Sequence, residues 1–396
     1  METSAGTARR ANGVTATVYG MSRSFDAASG LPLGPEARRA LDAALDHGWA
    51  DPARLHRDGR VARQLLDAAR ASVATCIGGL PQEVVFTASG TQALQVGLLG
   101  LARGRRKVGS TVVASAVEHS AVLRAADWVA PGEEPVLVPV NSHAEVEVKA
   151  FRRAVRAPGV ALAAVQHVNH EVGAIQPLEP VHEAAQGAGV PLLVDACAAL
   201  GSVPATRHWD VLAGSAHKWG GPAGVGILAV RTGVRWRSPL PTDEAGRWAG
   251  FPDVPGAVAA ATALEQATAS LGQSSLHRAR LLTIMRERVP ALAPDVIALG
   301  RPESAPHIVC FTILYADGEV LVTELDRAGF AVSSGSACTA DTRRPSHVLA
   351  AMGAITHGNL RVSLPPEATE ADVAGFLGAL PGAIAAARAA ADRASS

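Results

Sequence analysis

Apolar residues recur along this chain with two different spacings, and the change from one to the other organises it. Near the start the spacing is helical. Pro35–His47 and residues 58–76 place apolar side chains every three or four positions, among them Val61, Leu65, Leu66, Ala69 and Val73. This predicts two helices, the first with proline in its opening turn, the second closed by Gly78, Gly79 and Pro81. From Glu83 onward short unbroken apolar runs take over, at residues 84–87, 111–115, 136–140, 160–165, 191–194, 211–216 and 225–230, separated by helical stretches. Runs of this kind predict strands covered on both faces, hence an α/β fold with a mainly parallel sheet sandwiched by helices.

The pattern changes again around residues 236–255, which are rich in Pro, Gly and Trp. Helical stretches at 256–271 and 275–289 follow, then apolar segments at 308–314, 320–328 and 331–334. This order suits a smaller α+β domain. The division expected is a tail at 1–23, a large domain at 24–250 and a small domain at 251–396. The alanine-rich end, 370–393, reads as two exposed helices broken near Pro381. No internal repeat is visible.

Composition narrows the function more than the fold. The chain has 396 residues, 48% hydrophobic and 18% charged, enough for a large core. Formal net charge is zero, and no cationic stretch with interleaved aromatics occurs, which argues against a nucleic-acid surface. Residues 1–12 lack an apolar leader core, and no later run is read as approaching the roughly 20 apolar residues of a spanning helix. The expectation is a soluble, cytoplasmic protein with a small substrate. The four cysteines, Cys76, Cys197, Cys310 and Cys338, form no CxxC pair and indicate neither a disulfide framework nor structural zinc.

Polar residues at the ends of the apolar runs carry the candidate chemistry, because ligands of open α/β sheets bind beyond the carboxyl ends of the strands. Lys218 is one of only three lysines and stands between the apolar runs 211–216 and 225–230. Scarce water there favours a free amine, although a buried stem with a snorkelling head is the plain alternative. Thr87 to Thr91 join a strand to a helix, as an anion site or as an ordinary cap. Asp195 ends a central strand, where it caps a helix or holds a protonated ring nitrogen. His119 follows Glu118 and either stacks on a ring or fills a turn. Arg361 lies in a strand-like run and either grips a carboxylate or completes a structural ion pair. His167, His170 and Glu171 lie at a strand end rather than along one helix face, which disfavours a metal site. Cys338 follows small residues, Ser333 to Ala337, and precedes Arg343 and Arg344, the setting of a reactive thiolate, whereas Cys76 and Cys310 sit in apolar patterns.

In order and spacing, His217-Lys218 with Gly221-Pro222, Asp195, Glu118-His119, Ser333 to Thr339 and Arg361 resemble the cysteine desulfurases of the class V aminotransferase family. The resemblance runs from about Phe25 to Val373. It implies a pyridoxal phosphate (PLP) enzyme of fold type I, acting on L-cysteine as a homodimer and passing persulfide sulfur to an unidentified acceptor. Residue by residue, it implies that Lys218 forms the Schiff base and moves the Cα proton, that Asp195 pairs with the pyridine nitrogen, and that His119 stacks on the ring. It implies that Gly90, Thr91, Ser215 and His217 hold the phosphate. Arg361, helped by the backbone near Ala28 and by Asn169, takes the substrate carboxylate, and Cys338 is the nucleophile. Selenocysteine lyase, C–S lyase, aminotransferase and non-catalytic regulatory versions share this framework. Three departures stand out: His170 replaces the family's cofactor-contacting asparagine, Ala198 replaces its glutamine, and residues 247–252 lack its phosphate-reaching threonine.

Overall fold

The computed structural model describes residues 6–7, 17–18, 23–242, 250–293, 295–334 and 345–395. Strands β1 (Gly6–Thr7) and β2 (Thr17–Val18) pair antiparallel, and β3 (Arg23–Ser24) enters the body of the protein. Helix α1 spans Pro35–His47, as its apolar spacing predicts. Helix α2 (Arg57–Ile77) ends at Gly78, whose φ of 68° is left-handed and suits glycine.

Seven strands then build the main sheet: β4 (Val84–Thr87), β5 (Thr111–Ser115), β6 (Val136–Val138), β7 (Val160–Gln166), β8 (Leu192–Asp195), β9 (Val211–Ser215) and β10 (Gly226–Val230). Their order is β4-β10-β9-β8-β7-β5-β6. The fold is α/β, with helices α3 (Gly90–Arg105), α4 (Ser120–Val129), α5 (Val148–Ala154) and α6 (Leu178–Gly187) between the strands. Every residue of β7 is buried, as expected of a central strand covered on both faces. The parallel arrangement fails at β10, which runs antiparallel to both β9 and β4. The connection 216–225 carries no crossover helix, so the chain can only turn back on itself.

Helix α7 (Val254–Ala269) packs into the same core as α2 and the main sheet, through Val254, Ala257, Ala260 and Leu264. Helix α8 (Leu271–Leu292), strands β11 (Val296–Leu299) and β12 (Ile308–Ile313), helix α9 (Gly318–Arg327), strand β13 (Phe330–Ala331), helix α10 (His347–Ala351) and strand β14 (Asn359–Ser363) follow. A second core gathers Leu281, Phe311, Leu325, Phe330 and Phe376, and it recruits Phe25 from the other end of the chain. That long-range pairing is fixed by β13 lying parallel to β3 and by Asp26 bridging to Ser363.

The two exposed helices expected at the end of the chain are instead one, α11 (Glu370–Ser395), with Pro381 inside it. Val373, Phe376, Leu380, Ala383, Ile384 and Ala387 form one helical stripe across the proline, and its burial in the second core holds the two halves in line. Contrary to the sequence expectation, Glu370–Arg393 is by length and composition apolar enough to span a membrane, with a mean hydropathy of 1.5. One third of that window (33%) is buried.

Candidate active site

Strand β9 ends at Ser215, and the chain tightens into a single 3-10 turn, Ala216–Lys218. The turn is held shut by Gly221 N–H donating to the Ala216 carbonyl at 2.9 Å and by Ala216 N–H donating to Val225 at 2.9 Å. Lys218 is therefore half-buried on a rigid strand end, facing a cavity of about 220 Å³. The small-residue segment after β3 crosses this turn: Leu31 N–H donates to the His217 carbonyl at 2.7 Å and Gly34 N–H to Gly220 at 2.8 Å.

At one end of the cavity stand Gly90 and Thr91, Ser215 and His217. Ser89 caps α3 by accepting from Gln92 N–H at 3.1 Å, as the cap reading of this segment expects. The start of this 16-residue helix lines the opening through Gly90 and Thr91, and the hydroxyl of Ser215 lies 3.2 Å from His217 Nδ1. A side chain at position 90 would fill this space, since its Cβ would lie 2.6 Å from Ser215 Cβ and 2.8 Å from Cys197 Sγ. Gly90→Ala is expected to weaken retention of a bound anionic cofactor at least about tenfold, a cost of ~1.4 kcal/mol, read as cofactor absorbance remaining after dialysis.

Asp195 lies at the end of β8 opposite this group, its Oδ1 accepting from Cys197 N–H at 2.9 Å. Glu118 is completely buried behind it. Burial, with the Asp195 carboxylate adding to it, pushes the Glu118 carboxyl well up, against the opposing bond from Gln166 N–H to its Oε1 at 2.8 Å. His119 caps α4, its Nδ1 accepting from Ala121 N–H at 3.1 Å, which leaves the ring proton on Nε2. Its ring meets that of His170 edge-on with centroids 5.1 Å apart. Burial lowers both imidazoles, and the Lys218 ammonium lowers them further, although Asp195 works the other way on His119. His170 is 4% exposed, and its Nε2 has no hydrogen-bond partner.

Arg361 enters from β14 and is 2% exposed. Its Nη2 donates to Asp26 Oδ1 at 2.6 Å and to Ser29 Oγ at 2.8 Å, and its Nη1 donates to the His170 carbonyl at 3.0 Å. Nε has no partner. The structure thus places an ion pair where the sequence left a choice between an ion pair and a carboxylate grip, and it leaves donors of the same guanidinium toward the cavity.

Gly90, Thr91, His119, His170, Asp195, Ser215, His217, Lys218, Arg361 and Ala28 all line one cavity. Asn169 does not. Its Oδ1 accepts from Glu171 and Val172 N–H at 2.9 and 2.8 Å and its Nδ2 donates to the Val117 carbonyl, so the side chain closes a turn and is not free for substrate. Cys338, Arg247, Trp248 and Ala249 lie outside the described residues. Phe251, where a threonine was expected, is described and exposed. His167, buried down to a pKa of about 4, stays off the cavity, and no cluster of three metal-ligating side chains occurs among the described residues. Among the residues with polar or thiol groups at the cavity, four escaped the sequence reading: Asp26, Ser29, Gln166 and Cys197. For Asp26 a signal existed, since it is the only charge between Ser24 and Pro32.

Fold and cavity together define an α/β protein with a lysine facing a cavity lined by Asp195, Arg361 and three histidines at the carboxyl edge of its sheet. The sequence pattern of the class-V aminotransferases matches residues 34–376, and the chain belongs to that family. It is 36% identical over 386 residues to an IscS-like cysteine desulfurase of Mycobacterium tuberculosis, covering 93% of this chain and 97% of the relative. To a cysteine desulfurase of Cereibacter sphaeroides it is 35% identical over 365 residues, 88% of this chain and 92% of the other. A solved NifS-like protein, 27% identical, superimposes with a TM-score of 0.84 over 92% of this chain and all (100%) of its own.

Proposed function

We propose that this protein is a PLP-dependent cysteine desulfurase, converting L-cysteine to L-alanine and capturing the sulfur as a persulfide on Cys338 for an acceptor. One observation carries the reading: Lys218, Asp195, Arg361 and the start of α3 converge on one cavity, and the segment bearing Cys338 departs from it at Ser333, whose backbone pairs with that of Arg361. The names of the desulfurase relatives support it.

The residues present fit the cofactor. The α3 amides, Ser215 and His217 would hold its phosphate where Gly90 keeps the space open. Asp195 would keep a proton on its ring nitrogen, with His119 against the ring face. The unpartnered, buried Nε2 of His170 would gain a polar partner, a group buried without one being costly. When bound, PLP supplies an aldehyde for the substrate amine and a ring that draws electrons from Cα. Lys218 then moves the Cα proton and Arg361 orients the carboxylate, while burial makes His119 and His170 poorer proton acceptors and so weaker competitors of Lys218 for that proton. The Cys338 thiolate bonds to the substrate sulfur as the Cβ–S bond breaks, its electron pair returning to carbon.

The division into a larger cofactor-holding unit and a smaller unit carrying the cysteine segment belongs to the same proposal, with α7 in the larger and β3 in the smaller. So do a cytoplasmic location and a homodimer, for which the exposed Trp49, Leu55 and Phe251 offer apolar surface.

The test is a comparison of wild type and Cys338→Ala, each loaded with PLP and given L-cysteine. Wild type is expected to form alanine together with one added sulfur on Cys338, read by mass spectrometry, and the variant to make alanine at least about 100-fold more slowly. Equal alanine from both would show that sulfur is released without capture on Cys338, as in a selenocysteine-lyase type of cleavage, whereas pyruvate in place of alanine would point to a C–S lyase and the sulfur-bearing 2-oxo acid to a transaminase. Absence of a cofactor band in both would overturn the PLP reading itself.

A further inference from the structure

His170 and Glu171 are neighbours in the turn that follows β7, and both are buried, 4% and 3% exposed. His170 belongs to the cavity wall. Its Nε2 makes no hydrogen bond and lies 3.7 Å from Glu171 Oε1, within ion-pair range but short of a hydrogen bond, so a small turn of the ring joins the two. The other carboxyl oxygen is already engaged. Glu171 Oε2 accepts from the Ser346 hydroxyl at 2.6 Å, a bond that ties the start of α10 to this turn. A structural clasp needs only that oxygen. Oε1 is left beside the imidazole, and it is the oxygen free to carry a proton.

Of the two side chains, the carboxyl is the one that gains and loses a proton near neutrality. Burial pushes Glu171 up to about 7, against the pull of the Ser346 hydroxyl and the Arg361 guanidinium. Burial pushes His170 the other way, well below its ordinary range, and the charges of His119 and His347 when protonated, of Lys218 and of Arg361 all oppose an imidazolium there. Cys310 of β12, beside Glu171, is pushed up to about 12 by burial and stays uncharged. A neutral imidazole carries one proton, on one nitrogen or the other. An ionised Glu171 draws that proton to Nε2. A protonated Glu171 donates from Oε1 to Nε2, and the ring proton then sits on Nδ1.

We propose that Glu171 is a positioning residue for His170, selecting which ring nitrogen carries the proton and so the hydrogen-bonding sense of the ring in the cavity wall. The switch balances with one proton: Nδ1 takes it up from the cavity side as Nε2 passes its own to Oε1, and the reverse restores the first state. An asparagine, which the family resemblance leads one to expect at position 170, has a fixed amide donor and acceptor and cannot respond in this way. The consequence for catalysis rests on the PLP reading above, since an oxygen of the bound cofactor at this wall would find donor and acceptor reversed across neutrality. The pair itself does not depend on that reading.

Wild type and Glu171→Gln, isotopically labelled in their imidazole nitrogens, test the pair by NMR from about pH 5 to about pH 9, with His170→Asn identifying the resonances. In wild type the two His170 nitrogens are expected to exchange protonated and unprotonated character around pH 7 while the ring stays neutral. In Glu171→Gln the amide oxygen still accepts from Ser346 and the amide NH₂ donates to Nε2 at every pH, so the exchange is expected to vanish with Nδ1 protonated throughout. Loaded with PLP and given no substrate, the two proteins are expected to retain equal cofactor and to differ by at least about half a unit in the pH midpoint of its visible band. One tautomer at every pH in wild type, a His170 that becomes cationic over this range, or the same exchange in Glu171→Gln would overturn the proposal and leave Glu171 as the clasp of α10. The first two outcomes need no variant, so they decide even where Glu171→Gln does not fold. Equal band midpoints would also overturn it, because the ring would then not act on the cavity. Absence of any cofactor band from wild type is the separate failure of the PLP reading, and the NMR exchange is independent of it.

Discussion

Lys218→Ala is expected to lower turnover of L-cysteine by about 10³- to 10⁴-fold or more, since it removes both the amine that anchors the cofactor and the base that moves the Cα proton. The prediction is steep because nothing else in the cavity replaces that amine. Lys107 and Lys149 lie on other elements, and Arg361 is held by Asp26, Ser29 and the His170 carbonyl. His119 and His170 are the nearest bases, but burial depresses both, and His119 Nδ1 is already engaged as a helix cap. Stability is expected to change little, because Lys218 is only half-buried and makes no structural ion pair among those described. Turnover and thermal midpoint measured on the same preparation, with methylamine added to the variant, check this. Partial rescue by the small amine at an unchanged midpoint is the expected pattern. Turnover within tenfold of wild type would remove Lys218 from the chemistry and return it to the snorkelling role.

What the sequence made legible was local. The spacing of apolar residues located α1 to the residue, and six of the seven runs read as strands lie within one residue of the observed ones at each end, because period and burial are written in neighbouring positions. Only the run 136–140 proved markedly shorter, as Val136–Val138. The polar strand ends were visible for the same reason. What escaped depends on partners far away in the chain. Asp26 meets Arg361 across 335 positions, and Ser346 meets Glu171 across 175. Spacing disfavoured a metal role for Glu171 without suggesting another, and Asn169 as a substrate contact came from the resemblance; the fold uses the first as a buried acceptor and the second as a turn clasp. Pro381 misled because proline's local cost is real, while the apolar stripe that offsets it belongs to tertiary packing.

The Asp26–Arg361 pair leads to the second large effect. A guanidinium has five N–H donors, and three of those on Arg361 serve Asp26, Ser29 and the His170 carbonyl. The Nε–H is buried with no partner, on the same edge as Nη2. A substrate carboxylate can bond Nε–H at once, but a bidentate grip must also draw Nη2 away from Asp26 or Ser29. Asp26 is therefore a resident anion with which a substrate carboxylate would have to compete for Nη2. Arg361→Gln is expected to reduce kcat/KM at least about 100-fold, roughly 3 kcal/mol, chiefly through KM, because a buried charge pair loses one partner. It also leaves Asp26 without its cation, so the thermal midpoint should fall. Asp26→Asn in the Arg361→Gln background removes that stranded carboxylate and should recover the midpoint without recovering KM, which separates substrate binding from folding. In the single variant Asp26→Asn the resident anion is gone while Arg361 remains, and KM for cysteine is expected to fall severalfold. A KM for Arg361→Gln within threefold of wild type would show that the carboxylate docks elsewhere and that the pair is structural.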